Sequence, residues 1–239
     1  MTKLYFHNAT SGLSSLPTTE QSSLTVDNNS DPLTTNRTLS STIGSSQVSL
    51  TCNTNASVSA QVAWFSRFVS PIITNTSISA NTWNYAFAVN ESNVNANFPC
   101  SSTGKQIWVN AYVWNTGSGT KVGNIIDGLS HSPGDFNEPT VAATETSVFG
   151  TFDGSLVSSI PSNCVIVYEA IFQFTQNNAT ARTIALFYDG TTETNANGTT
   201  VSNHASYIET PQTITFSSGS INMTQSAAKT YSNKFITKV

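Results

Sequence analysis

Residues 106–115 read Gln-Ile-Trp-Val-Asn-Ala-Tyr-Val-Trp-Asn, and Thr116-Gly117-Ser118-Gly119 follows at once. Ile107, Val109, Ala111 and Val113 alternate with Trp108, Asn110, Tyr112 and Trp114. Successive side chains of a strand point to opposite faces, so this period of two predicts a β-strand with two well-defined faces. The polar run behind it is turn chemistry, because asparagine bonds its own backbone and glycine tolerates positive φ. Residues 121–126 are then placed to return as the partner strand.

The same grammar extends in both directions. Residues 3–7 predict a short strand, with Leu4 and Phe6 on one side and Tyr5 and His7 on the other. Alternation resumes at 38–50, and 61–69 is an aromatic-rich strand. Pro71 interrupts it, leaving 72–78 as a short edge strand. Residues 82–89 predict a half-buried strand, with Trp83, Tyr85, Phe87 and Val89 on one face. Further strands are expected at 144–152, 164–174, 182–188 and 205–216, and one helical turn at 91–97. In 164–174, Glu169 and Gln173 mark the face nearer solvent. Many strands, turn signals between them and almost no helix predict an all-β fold, an antiparallel jelly-roll-like β-sandwich. No fixed-period repeat occurs, which argues against propellers and β-helices.

Residues 8–35 are too long for an ordinary connection. Leu13, Leu16, Leu24, Val26 and Leu33 are spaced along them like pegs. An arm ordered against the body or a neighbouring subunit is expected. The organisation reads as a strand and extended arm at 1–37, a sandwich body at 38–216, and a C-terminal extension at 217–239. That extension is polar until Tyr231, Phe235, Ile236 and Val239.

Only 9% of the 239 residues are charged, against roughly a quarter in ordinary globular chains. Serine, threonine and asparagine keep the surface wet instead. Such groups tolerate contact with other protein surfaces, since burying them strips no full charge of its hydration. The 9 Lys and Arg form no cluster, which excludes a nucleic-acid footprint. No segment reaches the roughly 18 apolar residues of a membrane span, and the N-terminal run lacks a signal-peptide core. Cys52, Cys100 and Cys164 are far apart and odd in number, so small apolar fillers in a reducing compartment are expected. The Asn-x-Ser/Thr triplets, Asn8 and Asn75 among them, follow from composition.

Reactive groups are scarce. His7, His131 and His204 are the histidines, and no Gly-x-Ser-x-Gly elbow accompanies them. His204, just before a strand, is expected to hydrogen-bond. The carboxylates of Asp127, Asp135, Asp153 and Asp189 lie beside glycines, which is turn grammar. Glu169 is the one strand carboxylate placed to serve as a glycosidase acid. No catalytic residue, metal ligand or cofactor is expected. Trp108, Tyr112 and Trp114 share a face that fills the core or, in an alternative reading, exposes a glycan-stacking platform.

Leu4-Tyr5-Phe6-His7-Asn8-Ala9, then Leu16-Pro17 and Glu20-Gln21-Ser22-Ser23, resemble the opening of a family of uncharacterised tailed-bacteriophage virion structural proteins. Tyr188-Asp189-Gly190-Thr191-Thr192 and residues 200–209 extend the likeness, as do Arg37-Thr38 and the 114–122 hairpin, over most of 1–216. The resemblance implies a virion component made in the host bacterial cytoplasm. Expected partners are the major capsid protein or tail proteins, with a homo-oligomer, a trimer, in which Leu4, Tyr5, Phe6, Leu13, Leu16, Leu24, Tyr231 and Phe235 make subunit contacts. The task expected is capsid cement or decoration; the alternative is a tail-fibre or spike subunit binding host glycans through 115–139 and 190–203.

Overall fold

A computed structural model of the chain describes residues 1–13, 16, 36–53, 60–91, 106–127, 144–175, 183–193 and 201–217. The strands are β1 (Thr2–Thr10), β2 (Asn36–Ser40), β3 (Val48–Asn53), β4 (Ala60–Val69), β5 (Thr82–Glu91), β6 (Gln106–Asn115) and β7 (Thr120–Ile126). They continue with β8 (Thr146–Asp153), β9 (Cys164–Thr175), β10 (Thr183–Tyr188), β11 (Thr192–Glu193), β12 (His204–Ala205) and β13 (Tyr207–Thr210). No helix occurs among the described residues, and the fold is an all-β, sandwich-like one. The predicted helical turn lies almost wholly outside them.

One 11-stranded sheet runs β3-β10-β5-β13-β1-β2-β4-β9-β6-β7, with β8 also paired to β5. Its pairings are antiparallel except β2 with β4. β1 is therefore the ladder link between two half-sheets: β3, β10, β5, β8 and β13 on one side, β2, β4, β9, β6 and β7 on the other. Thr2–Tyr5 pair with 207–210, and Tyr5–Thr10 pair with 37–40 across a register shift.

The inner faces of both halves share one core. Leu4 and Phe6 of β1, Trp83, Tyr85 and Phe87 of β5, Val109 and Val113 of β6, and Ile166 and Tyr168 of β9 all bury there. Phe6 stacks on Phe68 of β4 at 4.2 Å and lies 5.7 Å from Phe87 and 5.4 Å from Tyr168. Period-two patterning put these side chains on one face of each strand, as expected. Cys164 is a buried free thiol in the same core.

Four expectations change. The strand expected at 3–7 runs on to Thr10, past the expected start of the arm at residue 8, and β1 pairs on both sides within the main sheet. β5 is buried on both faces over 85–89: its outward Ala86 packs with Tyr5, Ala205 and Tyr207, and Ala88 is buried too, while Thr82 and Asn84 stay exposed. Residues 72–78 make only isolated bridges, Ile73 to Cys164 and Phe216, and Ile78 to Val157. The strand expected over 205–216 breaks into β12, β13 and that bridge at Phe216.

Turn chemistry holds where it was expected. The Asn115 side-chain oxygen accepts from the amides of Gly117 at 2.8 Å and Ser118 at 3.0 Å, and Gly119 takes φ of 67°. Gly150 of β8 lies opposite Tyr85, and a methyl there would overlap the buried phenol. Burial alone pushes the Tyr85 hydroxyl up to about 12, so the ring sits in a tight apolar site. Gly150→Ala is expected to cost about 1–3 kcal/mol by overpacking, measured as a lowered urea midpoint.

Candidate functional site

The outer face of β4, β9 and β6 carries the residues singled out for chemistry. Alternation sends Val165, Val167 and Glu169 of β9 outward, beside Arg67 and Val69 of β4 and Asn110, Tyr112 and Trp114 of β6. This face is not open. Leu13 and Leu16 pack onto Val69, Tyr112, Trp114, Val165 and Val167, with Ile72 at the margin. The Asn36 side-chain amide donates to the Leu13 carbonyl at 2.5 Å, which pins the pegs.

Tyr112 and Trp114 form an edge-to-face pair 6.3 Å apart, and Trp114 is only 6% exposed. A pyranose stacks on a ring face open to water, so these two do not make a glycan platform. They fill a satellite core under the chain's own N-terminal segment. The side chain of Trp108 lies outside the described residues.

Glu169 is a second correction. A lone strand carboxylate reads as solvated, yet this one is fully buried. The Arg67 Nε donates to its Oε1 at 2.7 Å, and the Asn110 Nδ2 donates to its Oε2 at 2.8 Å. Burying charges is tolerable only when they are paired and hydrogen-bonded, and three adjacent strands supply both. Both oxygens are engaged and none of the three side chains is exposed beyond 3%. A glycosidase acid must reach substrate. This carboxylate is bonded to Arg67 and Asn110 inside the protein.

The His–carboxylate pair described closest to catalytic geometry is His7 with Asp189. The Nδ1 of His7 lies 2.8 Å from Asp189 Oδ1, and its Nε2 lies 2.8 Å from the Thr42 carbonyl. Asp189 also accepts from the Asn8 amide at 3.0 Å and holds φ of 63° in the Asp-Gly turn. A general base needs one nitrogen facing the nucleophile's hydroxyl. Here that nitrogen faces a backbone acceptor instead. The pair fastens β1 to the end of β10 and the β2–β3 loop. Sequence reasoning missed it, since 182 positions separate the two residues, although the left-handed Asp-Gly turn was legible.

His204 hydrogen-bonds as expected: its Nδ1 lies 2.8 Å from the Ser202 carbonyl. Among the described residues no group of three His, Cys, Asp or Glu could hold a metal ion. A cleft of about 380 Å³ opens between 72–76 and 160–163. Its lining is isoleucine, proline, asparagine, serine and threonine, without an ionisable side chain. It can offer hydrogen bonds and little else.

Several residues expected at subunit contacts are already occupied. Leu4 and Phe6 fill the main core, Tyr5 packs with Tyr207, and Leu13 and Leu16 cover the β6–β9 face. Burial in the chain's own body removes them from any surface it presents. Leu24, Tyr231 and Phe235 lie outside the described residues.

A strap of β11 and β12 closes over Tyr5 and Tyr207. Lys3 Nζ donates to Glu193 at 2.7 Å, and the Tyr5 hydroxyl bonds the other oxygen of the same carboxylate. These two donors hold the Glu193 carboxyl below its usual range. A depressed folded value gives stability that is complete above the unfolded value near 4.5 and is lost as the pH falls through the folded one. Glu145, at the strap's other end, runs the opposite way, because burial raises its carboxyl. Glu193→Gln should therefore remove the acid-side loosening of the strap while leaving the Glu145 contribution. Tyrosine fluorescence titrated from pH 6 to 3 (about one unit steps, spanning the carboxylate range) checks this; identical curves for both proteins would refute it.

A scan against protein-family models finds no match for the chain, and a search of curated proteins finds no relative either.

Proposed function

We propose that the chain is a non-enzymatic structural protein of a tailed-phage virion, serving as capsid cement or decoration and contacting the major capsid protein as a homo-oligomer. The observation that carries the reading is a rigid all-β body in a chain only 9% charged. Neutral hydroxyls and amides lose little on burial against a neighbour, which suits a protein held by extended contacts. The internal commitment of Glu169, Arg67, His7 and Asp189 agrees with it, as does the sequence likeness over most of 1–216. The tail-fibre alternative draws no support from Tyr112 and Trp114, whose rings are covered.

Quantitative mass spectrometry of purified particles tests the proposal. Copy numbers in the hundreds per particle support the shell, and a few to a few tens would move the protein to the tail. Absence from intact particles would end the virion reading.

A further inference from the structure

We propose that His7 is a proton-dependent clasp: as an imidazolium it bridges the Asp189 carboxylate and the Thr42 carbonyl, and on losing a proton it lets the 41–46 loop go. The proposal is independent of the virion reading. Its basis is that both ring nitrogens meet acceptors. Nδ1 lies 2.8 Å from Asp189 Oδ1, and Nε2 lies 2.8 Å from the Thr42 carbonyl oxygen. A neutral imidazole has one N–H and one lone pair, whereas the imidazolium donates from both nitrogens. A backbone carbonyl and an ionised carboxylate have no hydrogen to give a lone pair. The charged ring alone satisfies both contacts.

The accepting groups are fixed by the fold. Asp189 holds φ of 63°, its Oδ2 accepts from the Asn8 amide at 3.0 Å, and its carbonyl accepts from the Ser46 amide at 3.1 Å. Gly44 lies so close to that turn that a methyl group there would overlap the Asp189 carbonyl. On the loop side, the Thr42 amide and hydroxyl both bond Ser40 within their own segment. The other ionisable groups on the elements around the ring have partners of their own. Arg37 of β2 and Tyr188 of β10 donate to the Asn8 side-chain oxygen, Lys3 and Tyr5 of β1 bond Glu193, and His204 of β12 bonds the Ser202 carbonyl. Residues 41–47 contain no ionisable side chain.

Histidine is the side chain that changes charge between about pH 5 and 8. As the pH rises through that change, the ring keeps one proton. A hydrogen bond to a carboxylate is roughly twice as strong as one between neutral groups, so Nδ1 keeps it. Nε2 then turns a lone pair toward the Thr42 oxygen, and an attraction becomes a repulsion. The clasp is closed on the acid side and open on the alkaline side. What it releases is a loop whose Thr42 and Ile43 already face solvent.

NMR of the full-length chain with isotope-labelled histidine, together with amide hydrogen exchange, tests this. The ring signals of His7 are those missing from His7→Gln. Measurements run from about pH 5.5 to about pH 8.5, spanning the histidine charge change. Exchange at the Ser46 amide, corrected for its intrinsic pH dependence, should rise about fivefold, the effect of losing one hydrogen bond. Loss of the proton from Nε2 and the rise in exchange should share one midpoint. The Ser11 amide, bonded to the Asn36 carbonyl at 2.7 Å, is the control and should not change. In His7→Gln the Ser46 amide should exchange equally fast at both ends of the range. Glu145 and Glu193 titrate in both proteins, so the comparison cancels them. A flat Ser46 rate in the wild type, a rise that persists in His7→Gln, or a neutral ring that keeps its proton on Nε2 would each overturn the proposal. If the variant fails to fold, the shared midpoint in the wild type decides alone, with His7 assigned by replacing His131 and His204 instead.

Discussion

Phe6→Ala is expected to cost about 3–5 kcal/mol, a large part of the total stability of a domain. The ring is fully buried and sits where the two half-sheets meet. It stacks on Phe68 with planes 16° apart, and it lies against Phe87 of the β5 half and Tyr168 of the β9 half. Truncation leaves a cavity bounded by rigid strands on both sides, which cannot collapse to fill it. The strand that carries Phe6 also lies mid-sheet, paired to β13 on one side and β2 on the other. Urea unfolding, referenced to Leu156→Ala, measures the effect. Leu156 is 62% exposed, so that control should shift stability by no more than about 0.5 kcal/mol. Equal shifts for the two variants would mean that Phe6 is no keystone.

How far this was legible follows from what each residue could signal alone. Strand existence was read well at 106–115 and 164–174, because two chemically distinct faces impose a period of two. The alternation of Leu4 and Phe6 with Tyr5 also placed β1 correctly as a strand. Nothing local, however, says that Thr2 will pair with Thr210 or that β1 will lie mid-sheet. Non-local pairing leaves no mark in a short window. Both-face burial over 85–89 was hidden by Ala86 and Ala88, which look neutral in sequence, although Tyr5 and Tyr207 pack on Ala86 and Ala88 is fully buried.

The candidate site was less legible for the same reason. That Tyr112 and Trp114 share a face was certain from spacing, but alternation cannot say what covers a face. The covering residues, Leu13 and Leu16, were recognised as pegs without their socket. Glu169 misled because a charge in a strand usually means water. Its partners Arg67 and Asn110 stand 102 and 59 positions away and become neighbours only through β4-β9-β6 pairing.

Those three side chains supply the other large effect. Glu169→Leu should cost about 3–5 kcal/mol, since it strands the buried Arg67 guanidinium without its carboxylate. Arg67→Met should cost a similar amount for the converse reason. Asn110→Leu, which leaves only one carboxylate oxygen short of a donor, should cost about 1–3 kcal/mol. The informative variant is the double one. Arg67→Met with Glu169→Leu removes both charges together and fills the space with apolar atoms beside Val69 and Val167. Replacing a whole buried pair in this way is often neutral or stabilising, so the double variant should recover most of either single loss. Urea midpoints for the four proteins of the cycle give the coupling directly. A double variant as unstable as the sum of the singles would show that the two charges do not depend on each other.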